Sequence, residues 1–244
     1  MSAGVPVFMY HWVDDALGDR LRLYGVTPRA LASQLAWLRR LRKRSIDLPA
    51  LHDHVTGVAP APRGAVVLTF DDGYVDNAEN ALPLLEAAGM TATVFVVTDH
   101  AGGTNAWDAG HGDAPRPLLT WERMRALDGK VLRFEPHSRS HPELPSVSRE
   151  RARQEIEGSK KRLEDELGRE ALAFSYPHGA ADPVLEGMVA EAGFRLAVTD
   201  RQGLNRAGDH PLRVRRTMIT SRDVAPTYLV KAVTGWGAMG WLAR

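Results

Sequence analysis

The chain has 244 residues, a formal net charge of +1 and no cysteine. A charge so close to zero gives no reason to expect nucleic acid or an anionic membrane as a partner. The lack of cysteine excludes disulfides, thiolate catalysis and cysteine-ligated zinc, so any metal must be bound by His, Asp or Glu. The hydrophobic (44%) and charged (25%) fractions are typical of a globular protein, and we expect one domain over residues 1–244.

Residues 1–15, MSAGVPVFMYHWVDD, contain no basic region followed by a long apolar segment, which argues against a secretory signal peptide. No run of about 18 apolar residues predicts a membrane span. We therefore expect a cytoplasmic protein, although a secreted chain trimmed of its leader would read the same way.

Short apolar or β-branched runs predict strands, and helical patterns lie between most of them. The predicted strands are residues 5–10, 65–70, 92–97, 131–135, 172–176, 194–198 and 212–219. The predicted helices are residues 28–43, 78–88, 149–167, 183–192 and 226–239. This alternation is typical of a parallel sheet whose strands are joined by crossover helices. Because the units are many and no Gly-rich dinucleotide-binding motif is present, we expect an α/β fold that closes, or nearly closes, into a barrel.

Two stretches rich in Gly and Pro predict long loops. One is residues 52–64, in which His52 and His54 are interpreted as solvated side chains. The other is residues 100–118, and a loop of that length in a compact domain usually covers a substrate.

Two pairs of polar residues follow predicted strands. Asp71 and Asp72 follow one strand, and on their own they could be explained by an Asp-Gly turn and a helix cap. His137 and His141 follow another strand and are four residues apart. The carboxyl ends of barrel strands meet at one face, so the pairs can form a His₂-carboxylate site that suits catalytic zinc. One aspartate would then bind the metal, and the other would take a proton from water that the metal activates.

The two motifs, TFDDG at 69–73 and HSRSH at 137–141, resemble those of the NodB-type polysaccharide deacetylases, carbohydrate esterase family 4. The resemblance covers roughly residues 5–219 and implies a distorted (β/α)7 barrel. It also implies a divalent metal ion and hydrolysis of an N-acetyl or O-acetyl group on a sugar. Zinc is the favoured ion, with Ni²⁺, Co²⁺ and Mn²⁺ as alternatives.

Roles for individual residues follow from the same resemblance. It implies that Asp71 is the general base and that the metal ligands are Asp72, His137 and His141. Ser138 falls where a Ser or Thr supports the loop between the two histidines, and we count it among the residues on the substrate side.

Residues 174–179 read FSYPHG, where the third motif of the family usually reads Arg-x-Pro-x-Gly. The Pro and Gly are kept, whereas Ser175 stands where Arg is usual. The stretch resembles that of a subgroup that acts on exopolysaccharides such as poly-N-acetylglucosamine. We expect substrate contacts from Tyr176, Pro177 and His178, with the backbone N–H of residue 178 stabilising an oxyanion.

Two functional groups of the family are missing from their usual positions. The missing Arg normally orients the catalytic Asp, and either Arg215 or Arg216 could replace it; we favour Arg216. The usual carboxyl-terminal Leu-x-His, whose His protonates the leaving amine, is also absent, but residues 8–11 read FMYH. A closed barrel joins its first and last strands, so we expect His11 to be the general acid in a permuted motif order. The alternative is a structural His at the end of a strand.

The sequence therefore predicts a metal-dependent hydrolase that removes N-acetyl groups from the amino sugars of a glycan or glycan precursor. Trp107 in the loop 100–118 could stack on a sugar ring or simply pack. The same site could instead act on an O-acetyl ester or a cyclic imide, or the protein could bind glycan without catalysis. Phosphoryl transfer is disfavoured because no Gly-rich phosphate-binding loop is present.

Overall fold

The computed structural model describes residues 4–18, 21–109 and 113–237. The strands are β1 (Val7–Tyr10), β2 (Arg44–Ser45), β3 (Ala65–Phe70), β4 (Ala92–Val96), β5 (Leu132–Pro136), β6 (Ala173–Ser175), β7 (Leu196–Val198) and β8 (Thr217–Met218). The α-helices are α1 (Pro28–Arg40), α2 (Leu48–Thr56), α3 (Leu82–Ala88), α4 (Trp121–Leu127), α5 (Arg149–Leu167), α6 (Pro183–Glu191) and α7 (Ala225–Thr234). A π-helical turn, Asn77–Ala81, directly precedes α3. No helix within these described ranges has both the length and the apolar character needed to cross a membrane.

The strands form two hydrogen-bonded groups, and all their pairings are parallel. One group has the order β5-β4-β3-β1-β8, with β2 paired to the beginning of β3, and the other is β6 beside β7. An α-helix connects each strand to the next from β1 to β7, as expected for crossover units. The predicted parallel α/β fold is therefore confirmed.

Side chains and single bridges link the two groups around the barrel. Between β5 and β6, the buried Glu135 carboxylate accepts the N–H groups of Leu172 (2.9 Å) and Ala173 (3.1 Å). On the other side, a parallel bridge joins Val198 of β7 to Val214, just before β8. The strands thus form a distorted barrel. Between β5 and β6, hydrogen bonds to the Glu135 carboxylate replace backbone hydrogen bonds between the strands.

Alternate strand residues divide the core into an inner and an outer layer, as strand periodicity requires. Val7, Val67 and Phe95 belong to an inner cluster that also contains Leu48 and Leu51 of α2. The side chains that alternate with these pack against the surrounding helices. Helix α2 therefore covers the amino-terminal ends of the strands, which leaves their carboxyl-terminal ends to form a site.

Part of the predicted loop 52–64 is helical, so the interpretation of His54 as a solvated side chain is wrong. Asp47 caps α2 by accepting the N–H of Ala50 at 3.0 Å. His54 is 1% exposed, and its Nδ1 accepts the N–H of Ala61 at 3.1 Å. Local caps at Asp47 and Gly57 and the packing of Leu48 and Leu51 in the inner cluster both stabilise this helix.

The carboxyl-terminal elements are shorter than predicted. Of the predicted strand 212–219, only Thr217–Met218 is extended in the sheet. Helix α7 ends at Thr234 because Gly235 adopts a left-handed φ of 70°. The predicted helix 226–239 thus runs too far, and its residues 238–239 lie outside the described residues.

Candidate active site

Asp71 directly follows β3 and forms a buried ion pair with Arg216. The Arg216 guanidinium donates to both carboxylate oxygens of Asp71, at 2.7 and 2.8 Å. It also donates to the Thr199 carbonyl at 2.9 Å and to Ser175 Oγ at 3.1 Å. Such a bidentate contact fixes the plane of the carboxylate. Arg215, the alternative considered from sequence, instead pairs with Asp209 at 2.7 Å.

The surroundings of Asp71 keep it ionised. Burial alone would raise the pKa of this carboxyl, but the charge of Arg216, with help from His137 and the Arg216 hydrogen bonds, lowers its pKa to about 2. The group is therefore a carboxylate at neutral pH and is able to accept a proton.

Asp72, His137 and His141 come together beside Asp71. The Oδ1 atom of Asp72 lies 3.7 Å from His137 Nε2 and 3.5 Å from His141 Nε2. One potential ligand atom from each residue lies within 4.8 Å of the other two. Asp72 Oδ1 is buried and has no hydrogen-bond partner among the described residues. A buried oxygen without a partner is costly, so the arrangement fits a divalent metal ion held by one carboxylate and two imidazoles.

Hydrogen bonds and backbone conformation aim these side chains. His137 Nδ1 lies 2.8 Å from the Ser175 carbonyl, which directs Nε2 toward Asp72, the usual support for a metal-binding imidazole. Asp72 and His141 have φ values of 73° and 61°. A left-handed conformation costs a residue other than glycine about 1–3 kcal/mol and is concentrated at functional sites.

Ser138 and Glu155 stabilise the loop between the two histidines by accepting hydrogen bonds from its backbone N–H groups. Ser138 is 0% exposed, and its Oγ accepts the His141 N–H at 3.0 Å. The Glu155 carboxylate, on α5, accepts the N–H groups of Arg139 and Ser140, both at 2.8 Å. Sequence reasoning missed Glu155, although its place on the apolar face of α5, beside Ile156, was a usable signal.

Replacing Glu155 with Ala should weaken metal binding about 10- to 100-fold, the usual effect of losing support behind metal ligands. The two N–H groups of the loop would lose their common acceptor, so His141 would no longer be held toward Asp72. Zinc titration against a competing chelator measures the change. A matched control is Glu157→Ala on the same helix, whose carboxylate pairs with the exposed Arg153 at 3.2 Å and, within the described residues, does not contact the histidine loop. Equal zinc affinity in both variants would show that Glu155 does not support the site.

A cavity of about 460 Å³ lies above these residues, at the carboxyl-terminal ends of the strands. Of the residues predicted to contact substrate, His178 and Trp107 line it. The Trp107 ring stacks on His141, with ring centroids 4.9 Å apart. Sequence reasoning missed several other lining residues, among them Trp12, Leu21, Tyr24, Asp108, Asp200 and Met218.

The predicted substrate contacts of Ser138, Tyr176 and Pro177 are not supported, because the cavity is lined without them. Strand alternation explains the position of Tyr176. Ser175 faces inward onto Arg216, so its neighbour Tyr176 faces outward, is 0% exposed and packs on Phe174. Its hydroxyl donates to the Leu212 carbonyl at 3.4 Å.

His11 lines the same cavity at the end of β1. Its ring meets Tyr24 edge to face, with centroids 5.0 Å apart. Burial lowers the pKa of His11 to about 4, although the nearby Asp71 charge acts in the opposite direction. Its Nδ1 is buried and has no hydrogen-bond partner among the described residues. The structure therefore places a neutral imidazole on the cavity wall, near Asp71.

Known proteins resemble the chain in both sequence and fold. The model of the polysaccharide deacetylase family matches residues 59–197. YxkH of Bacillus subtilis is 25% identical over 201 residues, which cover 82% of this chain and 66% of YxkH. The poly-β-1,6-N-acetyl-D-glucosamine N-deacetylase of Escherichia coli is 36% identical over 84 residues, 34% of this chain and 12% of that protein. The chain thus spans less than two thirds of the length of either relative.

A solved structure with the same fold is that of the Streptococcus pyogenes deacetylase PplD in complex with acetate. It superimposes with a TM-score of 0.80 at 22% identity, over 96% of this chain and 99% of that one. At this identity the likeness shows a shared fold.

Proposed function

Because the chain belongs to the polysaccharide deacetylase family, we propose that it is a metal-dependent hydrolase that removes N-acetyl groups from the amino sugars of a glycan. One observation carries the proposal. An ionised Asp71, held by Arg216, lies beside a buried Asp72–His137–His141 donor set. Asp71 is thus held by Arg216, with its Oδ2 3.9 Å from His137 Nε2, while its neighbour Asp72 belongs to the donor set, an arrangement that suits hydrolysis with a separate general base.

We propose zinc as the ion, held by Asp72, His137 and His141, because one carboxylate and two imidazoles are a common ligand set of catalytic zinc. When bound, the ion would supply Lewis-acid chemistry, acidifying water and polarising the acetyl carbonyl.

Asp71 would act first. In the proposed reaction, a water oxygen bonds to the acetyl carbon, and an Asp71 oxygen takes the proton that the water loses. Arg216 contacts both oxygens of Asp71, so the carboxylate cannot rotate freely. The backbone N–H of His178, in a turn at the cavity, would donate to the oxygen that gains negative charge.

His11 would act second, when the carbon–nitrogen bond breaks and the nitrogen takes a proton from the imidazole. Since burial lowers the pKa of His11 to about 4, the ring is neutral before the reaction and must gain its proton during turnover. The protonated Asp71 would pass that proton to the ring, which restores the Asp71 charge that favours the protonated imidazole. The products are acetate and a free amine.

The substrate that we propose is a glycan rich in N-acetylglucosamine. The Escherichia coli relative, which is named for its action on poly-β-1,6-N-acetyl-D-glucosamine, supports this proposal over the 84 residues that match. The cavity also presents aromatic rings, Trp12, Tyr24 and Trp107, and aromatic rings offer large apolar faces with few rotatable bonds for packing.

Incubating the zinc-loaded protein with N-acetylglucosamine oligomers and with O-acetylated xylan tests the proposal directly. We expect acetate and free amine to be released in equal amounts from the amide substrates. The His137→Ala variant should lose zinc and activity together, because it removes a ligand and leaves Asp72 without one of its two imidazole neighbours. Release from the ester alone would instead identify an esterase, and glycan binding without any release would identify a non-catalytic binding protein.

A further inference from the structure

The π-helical turn after Asp72 holds the main chain that carries His11. The last backbone hydrogen bond between β1 and β3 runs from Asp71 N to the Tyr10 carbonyl, at 2.9 Å. Beyond it the two chains separate, and His11 O loses a partner on β3. Asn77 Nδ2 supplies that partner by donating to His11 O at 2.8 Å.

Two neighbours of Asn77 extend this contact along the same loop. Asp76 Oδ1 accepts the Val13 N–H at 2.9 Å, and Asn80 Nδ2 donates to the Val13 carbonyl at 2.7 Å. Asn77 Nδ2 also donates to Asp76 Oδ1 at 3.0 Å, which connects the two contacts. Residues three and four apart on a helical turn lie on one face, so a single turn provides every one of these contacts. π-Helical turns are rare and frequently occur at functional sites.

The His11 ring depends on this main-chain support more than the His137 ring does. His137 is oriented through its own ring nitrogen, by the Ser175 carbonyl. His11 Nδ1 has no such partner within the described part of the chain. Its ring position is therefore set by where the backbone ends β1 and by the edge contact with Tyr24.

The buried position of Asn77 is energetically unfavourable. The residue is 0% exposed, and its Oδ1 has no hydrogen-bond partner among the described residues. A buried oxygen without a partner is destabilising. An apolar side chain would avoid that penalty, but it would leave His11 O without its donor.

We propose that Asn77 is a positioning residue that acts through His11. It fixes the His11 carbonyl, and with it the direction in which the imidazole enters the cavity. The catalytic part of this inference rests on the proposed function, in which His11 gives a proton to the leaving nitrogen.

A double-mutant cycle tests the catalytic part. Asn77→Ala should lower kcat on an N-acetylglucosamine oligomer by about 10- to 100-fold, since a displacement of about 1 Å can cost that much. KM and zinc content should change little. In the His11→Ala background the same substitution should cost less than about 3-fold, because the residue through which it acts is gone. If the fold-losses in kcat of the two single variants multiply in the double variant, Asn77 does not act through His11.

The control is Asn80→Ala, which removes a similar hydrogen bond to the same loop, two residues further along. We expect a comparable fall in the unfolding temperature but a smaller effect on kcat. If Asn80→Ala lowers kcat as much as Asn77→Ala does, the turn is a general support of the loop and the specific role of Asn77 is wrong.

A spectroscopic readout separates the inference from the proposed function. In imidazole ¹H–¹³C spectra of the zinc-loaded protein, the His11 Cε1–H signal is the one that His11→Ala removes. It should shift or broaden in Asn77→Ala and stay in place in Asn80→Ala. An unchanged signal in Asn77→Ala would overturn the inference even if the enzyme is active. A moved signal in a protein that releases no amine would leave the support intact and refute the proposed activity.

Discussion

Replacing Asp71 with Asn should lower turnover of N-acetylated oligomers by about 10²- to 10⁴-fold, the range expected for loss of a general base. Bound zinc per protein should stay close to that of the parent. The reason is geometric, since the Asp71 oxygens are both engaged by Arg216, whereas Asp72 Oδ1 faces the two imidazoles without a hydrogen-bond partner among the described residues. Zinc is measured by atomic absorption, and turnover by free amine.

Asp72→Asn is the matched comparison, one residue along. It should lose zinc as well as turnover, because a neutral amide is a poorer ligand than a carboxylate. Equal zinc loss in both variants would show that the roles of the two aspartates are divided wrongly.

Folding must be checked in the Asp71 variant. Removing one partner of a buried ion pair typically costs about 3–5 kcal/mol, because the other charge is left uncompensated. Asp71→Glu keeps the charge on Arg216 balanced and displaces the carboxylate by about one methylene. A folded Asp71→Glu protein with bound zinc and low turnover would support the base assignment independently of any loss of stability.

Local sequence signals predicted the elements whose stability is mainly local. Strand β3 and helix α5 have the predicted bounds, because an unbroken apolar run marks the former and Ser148 and Gly168 cap the latter. Strand β2 and helix α2 were missed for different reasons. A two-residue strand is defined only by its pairing with β3. Helix α2 has the local caps Asp47 and Gly57, but it is short and runs into a stretch rich in Gly and Pro that was interpreted as a loop.

In the site too, local motifs were easier to interpret than contacts between distant residues. Sequence motifs at two strand ends were enough to predict which side chains come together around Asp72. Tyr176 was misplaced because the motif does not say which face of β6 each residue occupies. Asn77 contacts a carbonyl 66 positions earlier in the chain, and nothing in its own neighbourhood distinguishes it from a solvent-facing Asn on a helix. Supporting residues are thus harder to predict than the ligands that they support.

Replacing His11 with Ala should produce a loss that depends on the leaving group. On an N-acetylglucosamine oligomer, turnover should fall by about 10²- to 10⁴-fold, because an amine that leaves without a proton is a very poor leaving group. On 4-nitrophenyl acetate the loss should be less than about 10-fold, since nitrophenolate leaves without protonation. Zinc content should be unchanged, because His11 is not part of the donor set.

The matched control for His11 is His178, a second imidazole on the wall of the same cavity. His178 contacts His141, with ring centroids 4.7 Å apart, and its proposed contribution to the reaction is a backbone N–H. His178→Ala should therefore change amide and ester turnover by similar factors. If His178→Ala gives the loss that is selective for the amide, the acid lies in the turn after β6 rather than directly after β1. Equal losses on both substrates in His11→Ala would return His11 to a structural role, and the permuted position of the acid would then be wrong. An amide-selective loss in His11→Ala alone would place the acid at the end of the first strand, where it can reach the substrate because β1 pairs with both β3 and β8.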